Sequence, residues 1–83
     1  MYFVYLVACA DTTLYTGVTT DVARRVLEHN TSPKGAKYTR ARRPVQLVYS
    51  KKYKSRSAAQ IAEAKMKKLS RAAKLSMIKS YVI

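Results

Sequence analysis

The sequence has little from which to build a cross-link, a thiolate metal centre or a membrane span. Cys9 is the only cysteine among 83 residues, so neither a disulfide nor a thiolate zinc site can form within the chain, and the expected place of Cys9 is packed near a strand end. No run of 18 apolar residues occurs and no charged-then-apolar leader opens the chain, which sets the expectation of a cytoplasmic protein without membrane contact. Histidine is limited to His29, and nothing local would orient it toward Cys9 as a nucleophile pair. Acidic residues are scarce as well. Four stand against 17 lysines and arginines, for a net charge of +13. Such an excess says nothing about fold but attracts polyanions. The basic residues are spread along the chain and do not share one face opposite bulky apolar residues, which favours nucleic acid over a membrane surface. A chain this short buries only about 60 to 65% of its unfolded surface, too little for two cores, so a single domain over residues 1–83 is expected.

What is present is strongly patterned. Residues 2–8, YFVYLVA, are β-branched and aromatic without polar alternation, as in a central strand covered on both faces. CADTT supplies turn chemistry around Asp11, and LYTGVT resumes as a second antiparallel strand. Gly17 inside that strand marks a bulge or a place where a backbone or ligand comes close. Thr20 or Asp21 can cap the next helix, DVARRVLEHN, whose apolar stripe reads Val22, Ala23, Val26 and Leu27. At helical spacing Arg24 and Glu28 pair on the side away from that stripe, while Arg25 and His29 share the flank beside Val22 and Val26. TSPKGAKYTRARRP has no apolar period and reads as a basic surface loop. VQLVYS is a third strand. Ser57 with Gln60 reads as a capping box before Ala58, Ile61, Ala62, Met66 and Leu69, and Ser70 opens a last short helix carrying Leu75, Ile78 and Val82. The expected order is ββαβαα: an α+β domain of the α/β class, with a three-stranded antiparallel sheet and flanking helices.

The hairpin decides whether Tyr5 and Tyr15 can serve one site, because side chains alternate faces along a strand. If Cys9 pairs with Thr13 across a three-residue turn, Val7 lies opposite Tyr15, Tyr5 lies opposite Gly17, and both hydroxyls share a face. A two-residue turn would send Tyr15 to the other face.

VYL at residues 4–6, YTG at 15–17, ARRVLEH on a helix, KGAKYTR in the loop and the isolated Glu63 on a later helix together resemble the GIY-YIG nuclease domain. The likeness covers essentially the whole chain and is closest to the small stand-alone bacterial members. It implies phosphodiester hydrolysis with a divalent metal. The family's motif tyrosines fall on Tyr5 and Tyr15 and its motif glycine on Gly17. Its helical arginine and histidine fall on Arg25 and His29, and its metal-binding glutamate on Glu63.

The chemistry asks for a base, a cation at the phosphate and help for the departing oxygen. Glu63 with waters and substrate could hold one Mg²⁺ or Mn²⁺ ion, weakly in the absence of substrate. Arg25 offers a permanently charged fork to phosphate oxygens. Either tyrosine, or His29, could be the base; a tyrosine would need its pKa lowered from about 10, and a dense positive field acts in that direction. Lys34, Lys37, Arg40, Arg42 and Arg43, with Gly17, are the expected nucleic-acid contacts, most of them to phosphate. Taken singly, the tyrosines read as strand packing, His29 as a helix-end surface group and Glu63 as the i+4 partner of Lys67. Their joint occurrence favours a monomeric endonuclease acting on DNA, without a small-molecule cofactor. The other reading is a non-catalytic nucleic-acid-binding module on the same fold.

Overall fold

In the computed structural model, residues 1–81 are described; Val82, expected on the last helix, lies outside them. Three strands, β1 (Tyr2–Ala8), β2 (Leu14–Thr19) and β3 (Gln46–Tyr53), form an antiparallel sheet in the order β2-β1-β3. The central strand is therefore the one without polar alternation. Val4 and Leu6 on one face of β1 are fully buried against Ala59 and Met66. Tyr5 and Val7 on the other face are buried with Cys9 and Val45. Two thin apolar layers on either side of one strand thus make up the core.

Helix α1 (Val22–Thr31) covers the Tyr5 face, while α3 (Arg56–Lys67) and α4 (Arg71–Ser80) cover the Val4 face. Asp21 caps α1 by accepting from the Arg24 amide at 3.0 Å. The stripe expected on α1 is turned. Leu27 is 61% exposed and Ala23 is also exposed, whereas His29 is fully buried. The buried face is centred between Val22, Val26 and His29, so the helix is rotated toward the side that carries Arg25. This rotation brings His29 into hydrogen bonds with Tyr5 and Thr39.

Two further expectations are corrected. The cap of α3 is Ser55, whose hydroxyl accepts from the Ala58 amide at 3.1 Å; Ser57 lies inside the helix, and Ile61, expected on the inner stripe, is 56% exposed. The basic stretch after α1 is not wholly an open surface loop. It contains a short helix, α2 (Lys37–Arg40), and Thr39 within it has no exposed surface.

Candidate active site

The β1–β2 hairpin sets the tyrosines. The Cys9 amide donates to Thr13 O at 2.8 Å and the Thr12 amide to Cys9 O at 2.9 Å, enclosing a three-residue turn in which Thr12 takes a left-handed φ of 69°. Asp11 fixes the turn by accepting from the Thr13 hydroxyl at 2.6 Å. The register that follows places Val7 opposite Tyr15 and Tyr5 opposite Gly17, so the two tyrosines share a face. The close approach at Gly17 is made by a side chain of the neighbouring strand: a Cβ there would stand 2.5 Å from the Tyr5 hydroxyl oxygen. Gly17 is thus the floor beneath Tyr5 before it is a contact for any nucleic acid.

Tyr5 Oη lies 2.7 Å from His29 Nε2, and His29 Nδ1 lies 2.7 Å from Thr39 Oγ1. His29 is wholly buried, not a surface group at a helix end. Burial first, and then the positive charges of Arg25 and Arg43, hold its pKa below the ordinary histidine value, with Glu28 opposing them. The Tyr5 phenol moves the other way. Desolvation raises it to about 12, against the pull of Arg25 and with small upward pushes from Tyr15 and Glu63. The positive field expected to ionise a tyrosine is present, but for Tyr5 burial outweighs it, so the resting pair is neutral phenol beside neutral imidazole. Tyr15 packs edge-on to the His29 ring at 5.3 Å and stacks on Tyr38 at 5.9 Å.

Beside the exposed β2 edge the two long helices flank an open, polar groove of about 510 Å³, into which Tyr5, Tyr15, Arg25 and Glu63 all face. His29, expected among the catalytic residues, does not line the groove and stands behind Tyr5. Arg25 is held there: its Nη1 donates to Glu28 Oε1 at 3.0 Å and to Lys34 O at 2.8 Å. The Arg24 side chain is 57% exposed and reaches Glu28 only at 4.0 Å. Glu63 is ion-paired with Lys67 at 3.4 Å, the i+4 contact anticipated for it. Arg24, Glu28, Arg56 and Gln60 also line the groove; sequence reasoning placed Arg24 and Glu28 together on the outer side of the helix and assigned no site role to the other two. Three arginines therefore face two glutamates, Glu28 and Glu63, a milder positive balance than that of the whole chain.

The basic segment divides. Lys34, Lys37 and Arg40 are exposed. Arg42 instead pairs with Asp11 at 3.0 Å and covers the Tyr38 ring at 3.9 Å. Arg43 turns inward, donating to His29 O and Ser32 O, both at 2.6 Å. It satisfies carbonyls at the C-terminal end of α1 that the helix leaves unpaired. Arg42 and Arg43, expected among the nucleic-acid contacts, are thus engaged within the fold. Their partners are backbone and side-chain groups far away in sequence, which local pattern does not disclose.

Among the described residues no three His, Cys, Asp or Glu side chains gather as a metal cage. The donor set fits a hard, hydrated divalent cation resting on the Glu63 carboxylate, and does not fit a closed zinc or iron centre.

A three-stranded antiparallel sheet with helices on both faces, and two strand tyrosines beside a helical arginine and histidine, define the class as the GIY-YIG catalytic domain. The chain belongs to this family, which matches residues 1–76. It is 54% identical over 79 residues to a UPF0213 protein of Desulfotalea psychrophila, covering 95% of this chain and 72% of the relative. It is equally identical, over the same length, to one of Streptococcus agalactiae, covering 89% of that protein. A solution NMR structure of a UPF0213 protein from Bacillus halodurans is similar with a TM-score of 0.60 and 44% identity, over 95% of this chain and 84% of the other. The family is one of nucleases, generally dependent on divalent metal, and it points to a nucleic-acid substrate.

Proposed function

We propose that the protein is a metal-dependent endonuclease that hydrolyses phosphodiester bonds in DNA. The observation that carries this reading is the Tyr5 hydroxyl, bonded to His29 Nε2 at 2.7 Å and facing a groove shared with Arg25 and Glu63. Arg25 binds the phosphate through its forked donors, exchanging Glu28 for a phosphate oxygen. Tyr5 accepts a proton from the attacking water as its own proton passes to His29 Nε2, so a neutral phenol does the work of a base without first becoming a phenolate. The new P–O bond forms as the bond to the departing sugar oxygen breaks, and that oxygen leaves with a proton from solvent. A divalent cation such as Mg²⁺ or Mn²⁺, held by Glu63 together with waters and the substrate, would supply positive charge where the phosphate becomes more negative.

The deciding experiment is a panel of labelled duplex, flap, junction and single-stranded DNA and RNA, incubated with Mg²⁺ or Mn²⁺. The expected result is metal-dependent cleavage of a DNA substrate that disappears in Glu63→Gln. Binding without cleavage by the wild-type protein on every substrate would overturn the nuclease reading in favour of a binding module, which the Glu63–Lys67 pair at 3.4 Å also permits.

Arg25→Ala should reduce cleavage much more than Arg24→Ala, because Arg25 is seated in the groove by two hydrogen bonds and Arg24 is anchored only by a distant ion pair. Equal losses in single-turnover assays would show that the phosphate contact is misplaced. Binding should also weaken steeply with salt, with log K falling by about 0.9 per decade of salt for each duplex phosphate neutralised. Charge reversal at Lys34, Lys37 or Arg40 should flatten that slope, read by fluorescence anisotropy. Arg43→Glu should instead lower the unfolding midpoint, since its hydrogen bonds lie inside the fold.

A further inference from the structure

The segment that reads in sequence as a phosphate-binding loop holds the site from behind. Thr39 lies in a four-residue helix, yet it is fully buried. Its Oγ1 is 2.9 Å from Ala36 O and 2.7 Å from His29 Nδ1. A hydroxyl has one hydrogen and a carbonyl can only accept: with the Thr39 hydrogen on Ala36 O, which also accepts from the Thr39 and Arg40 amides at 3.1 Å, the Thr39 oxygen is left to accept from His29. A neutral imidazole carries a single N–H. If that hydrogen is on Nδ1, Nε2 is bare and must accept from the Tyr5 hydroxyl 2.7 Å away.

The other end of the chain of bonds agrees. Tyr5 then gives its single hydrogen to Nε2, and the lone pairs of its oxygen remain on the side of the groove that it lines with Arg25. Every polar atom then has a partner, and no buried side-chain nitrogen or oxygen among the described residues lacks one. With the opposite tautomer a bare Nδ1 would face the Thr39 oxygen at 2.7 Å while the Thr39 hydrogen sits on Ala36 O, opposing two lone pairs with no hydrogen between them.

We propose that Thr39 is a positioning residue that holds His29 as its Nδ1–H tautomer, so that Nε2 stands ready to receive the proton of Tyr5. The role in catalysis rests on reading Tyr5 and His29 as the proton-handling pair; the tautomer does not. Thr39 touches no substrate. It acts through His29, as an orienting group does in hydrolases that use a histidine base.

His29 is the only histidine in the chain, so the imidazole nitrogens of ¹⁵N-labelled protein give one assignable pair of signals. Long-range ¹H–¹⁵N spectra, recorded without substrate at a pH above the histidine range, read the tautomer directly. Wild type should show a protonated Nδ1 and a bare Nε2. Thr39→Val, which is nearly the same shape and lacks the oxygen, should shift the population toward Nε2–H, and Thr39→Ser should restore the wild-type pattern. A wild-type Nε2–H tautomer, or a Thr39→Val spectrum unchanged from wild type, overturns the inference. Should Thr39→Val fail to fold, the wild-type and Thr39→Ser spectra still decide it. Cleavage by Thr39→Val should fall about 100-fold with Thr39→Ser close to wild type, and undiminished cleavage despite an altered tautomer rejects the catalytic role. A protein that shows the expected tautomers but cuts no substrate keeps the placement of Thr39 and removes the nuclease reading instead.

Discussion

Tyr5→Phe should lower single-turnover cleavage by about 100- to 10,000-fold, the range over which a positioned acid–base group acts, while DNA affinity changes little. The hydroxyl makes the only hydrogen bond described for His29 Nε2, and phenylalanine leaves that buried nitrogen without a partner. A stability loss of about 1–3 kcal/mol should accompany the catalytic one. Tyr15→Phe should be milder, because Tyr15 meets His29 through ring edges and stacks on Tyr38, contacts that phenylalanine keeps. Equal rate losses in the two variants would show that the proton does not travel through Tyr5. The pH profile tests the same pair. Only neutral His29 can accept a proton, and its folded pKa lies below the ordinary value of 6.5 because of burial, Arg25 and Arg43, with Glu28 opposing. A depressed folded pKa stabilises the fold above the unfolded value, and that stability is lost as pH falls through the folded one. Both wild-type cleavage and the denaturation midpoint should therefore decline on acidification below the histidine range. The phenol behaves in the opposite sense: with Tyr5 raised from 10.0 to about 12 by burial, its contribution is intact below pH 10 and fades as pH rises toward the folded value.

How far the site could be read before the fold was known depends on the range of the interaction involved. The hairpin was legible because its determinants are local. Two apolar runs around the Asp11 turn mark the hairpin and Gly17 the close approach, while the choice between a two- and a three-residue connection, and with it the pairing of Tyr5 with Gly17, is made by the Cys9–Thr13 bonds. The central place of β1 was legible for a similar reason, since unbroken apolarity over seven residues suits only a strand covered on both faces. Helix orientation was less so. Counting apolar residues on α1 gives weight to Ala23 and Leu27, but the helix turns to bury His29, and the bonds responsible reach Tyr5 and Thr39, 24 and 10 residues away. The cap of α3 moved because Ser55 and Ser57 are equally good acceptors by type, and choosing between them depends on where β3 ends.

The basic segment shows the same limit more sharply. Arg40, Arg42 and Arg43 are alike in composition, yet one is exposed, one is pinned to Asp11 and Tyr38, and one is consumed by the end of α1. Charge pattern distinguishes arginine from leucine; it does not distinguish an arginine facing phosphate from one facing a carbonyl. Thr39 is harder still. Its importance lies in one hydrogen-bond acceptor, for which the sequence offers no period and no charge.

Gly17→Val should disable both the fold and the site, and Gly17→Ala should do so by a smaller margin. A Cβ at this position would lie 2.5 Å from Tyr5 Oη, 2.6 Å from Cζ and 2.8 Å from Cε1, well inside van der Waals contact. The Tyr5 ring has no easy escape, because it is buried and tied to His29. Overpacking of this kind costs about 1–3 kcal/mol, and displacing the phenol from His29 adds about 1–3 kcal/mol more. For a domain of this size each 1 kcal/mol lowers the melting temperature by about 4–8 °C, so even the alanine variant should melt visibly earlier. Cleavage should fall further than stability alone requires, since the surviving folded molecules hold Tyr5 out of line with His29. A double-mutant cycle separates this contact from any backbone need for glycine. With Tyr5→Ala in place there is no ring to strike, and Gly17→Ala should then be nearly neutral in chemical denaturation. A penalty that persists in the Tyr5→Ala background would mean that β2 needs glycine for its own backbone, and that the packing of Tyr5 on Gly17 is a consequence of the strand pairing and not a cause of the residue choice.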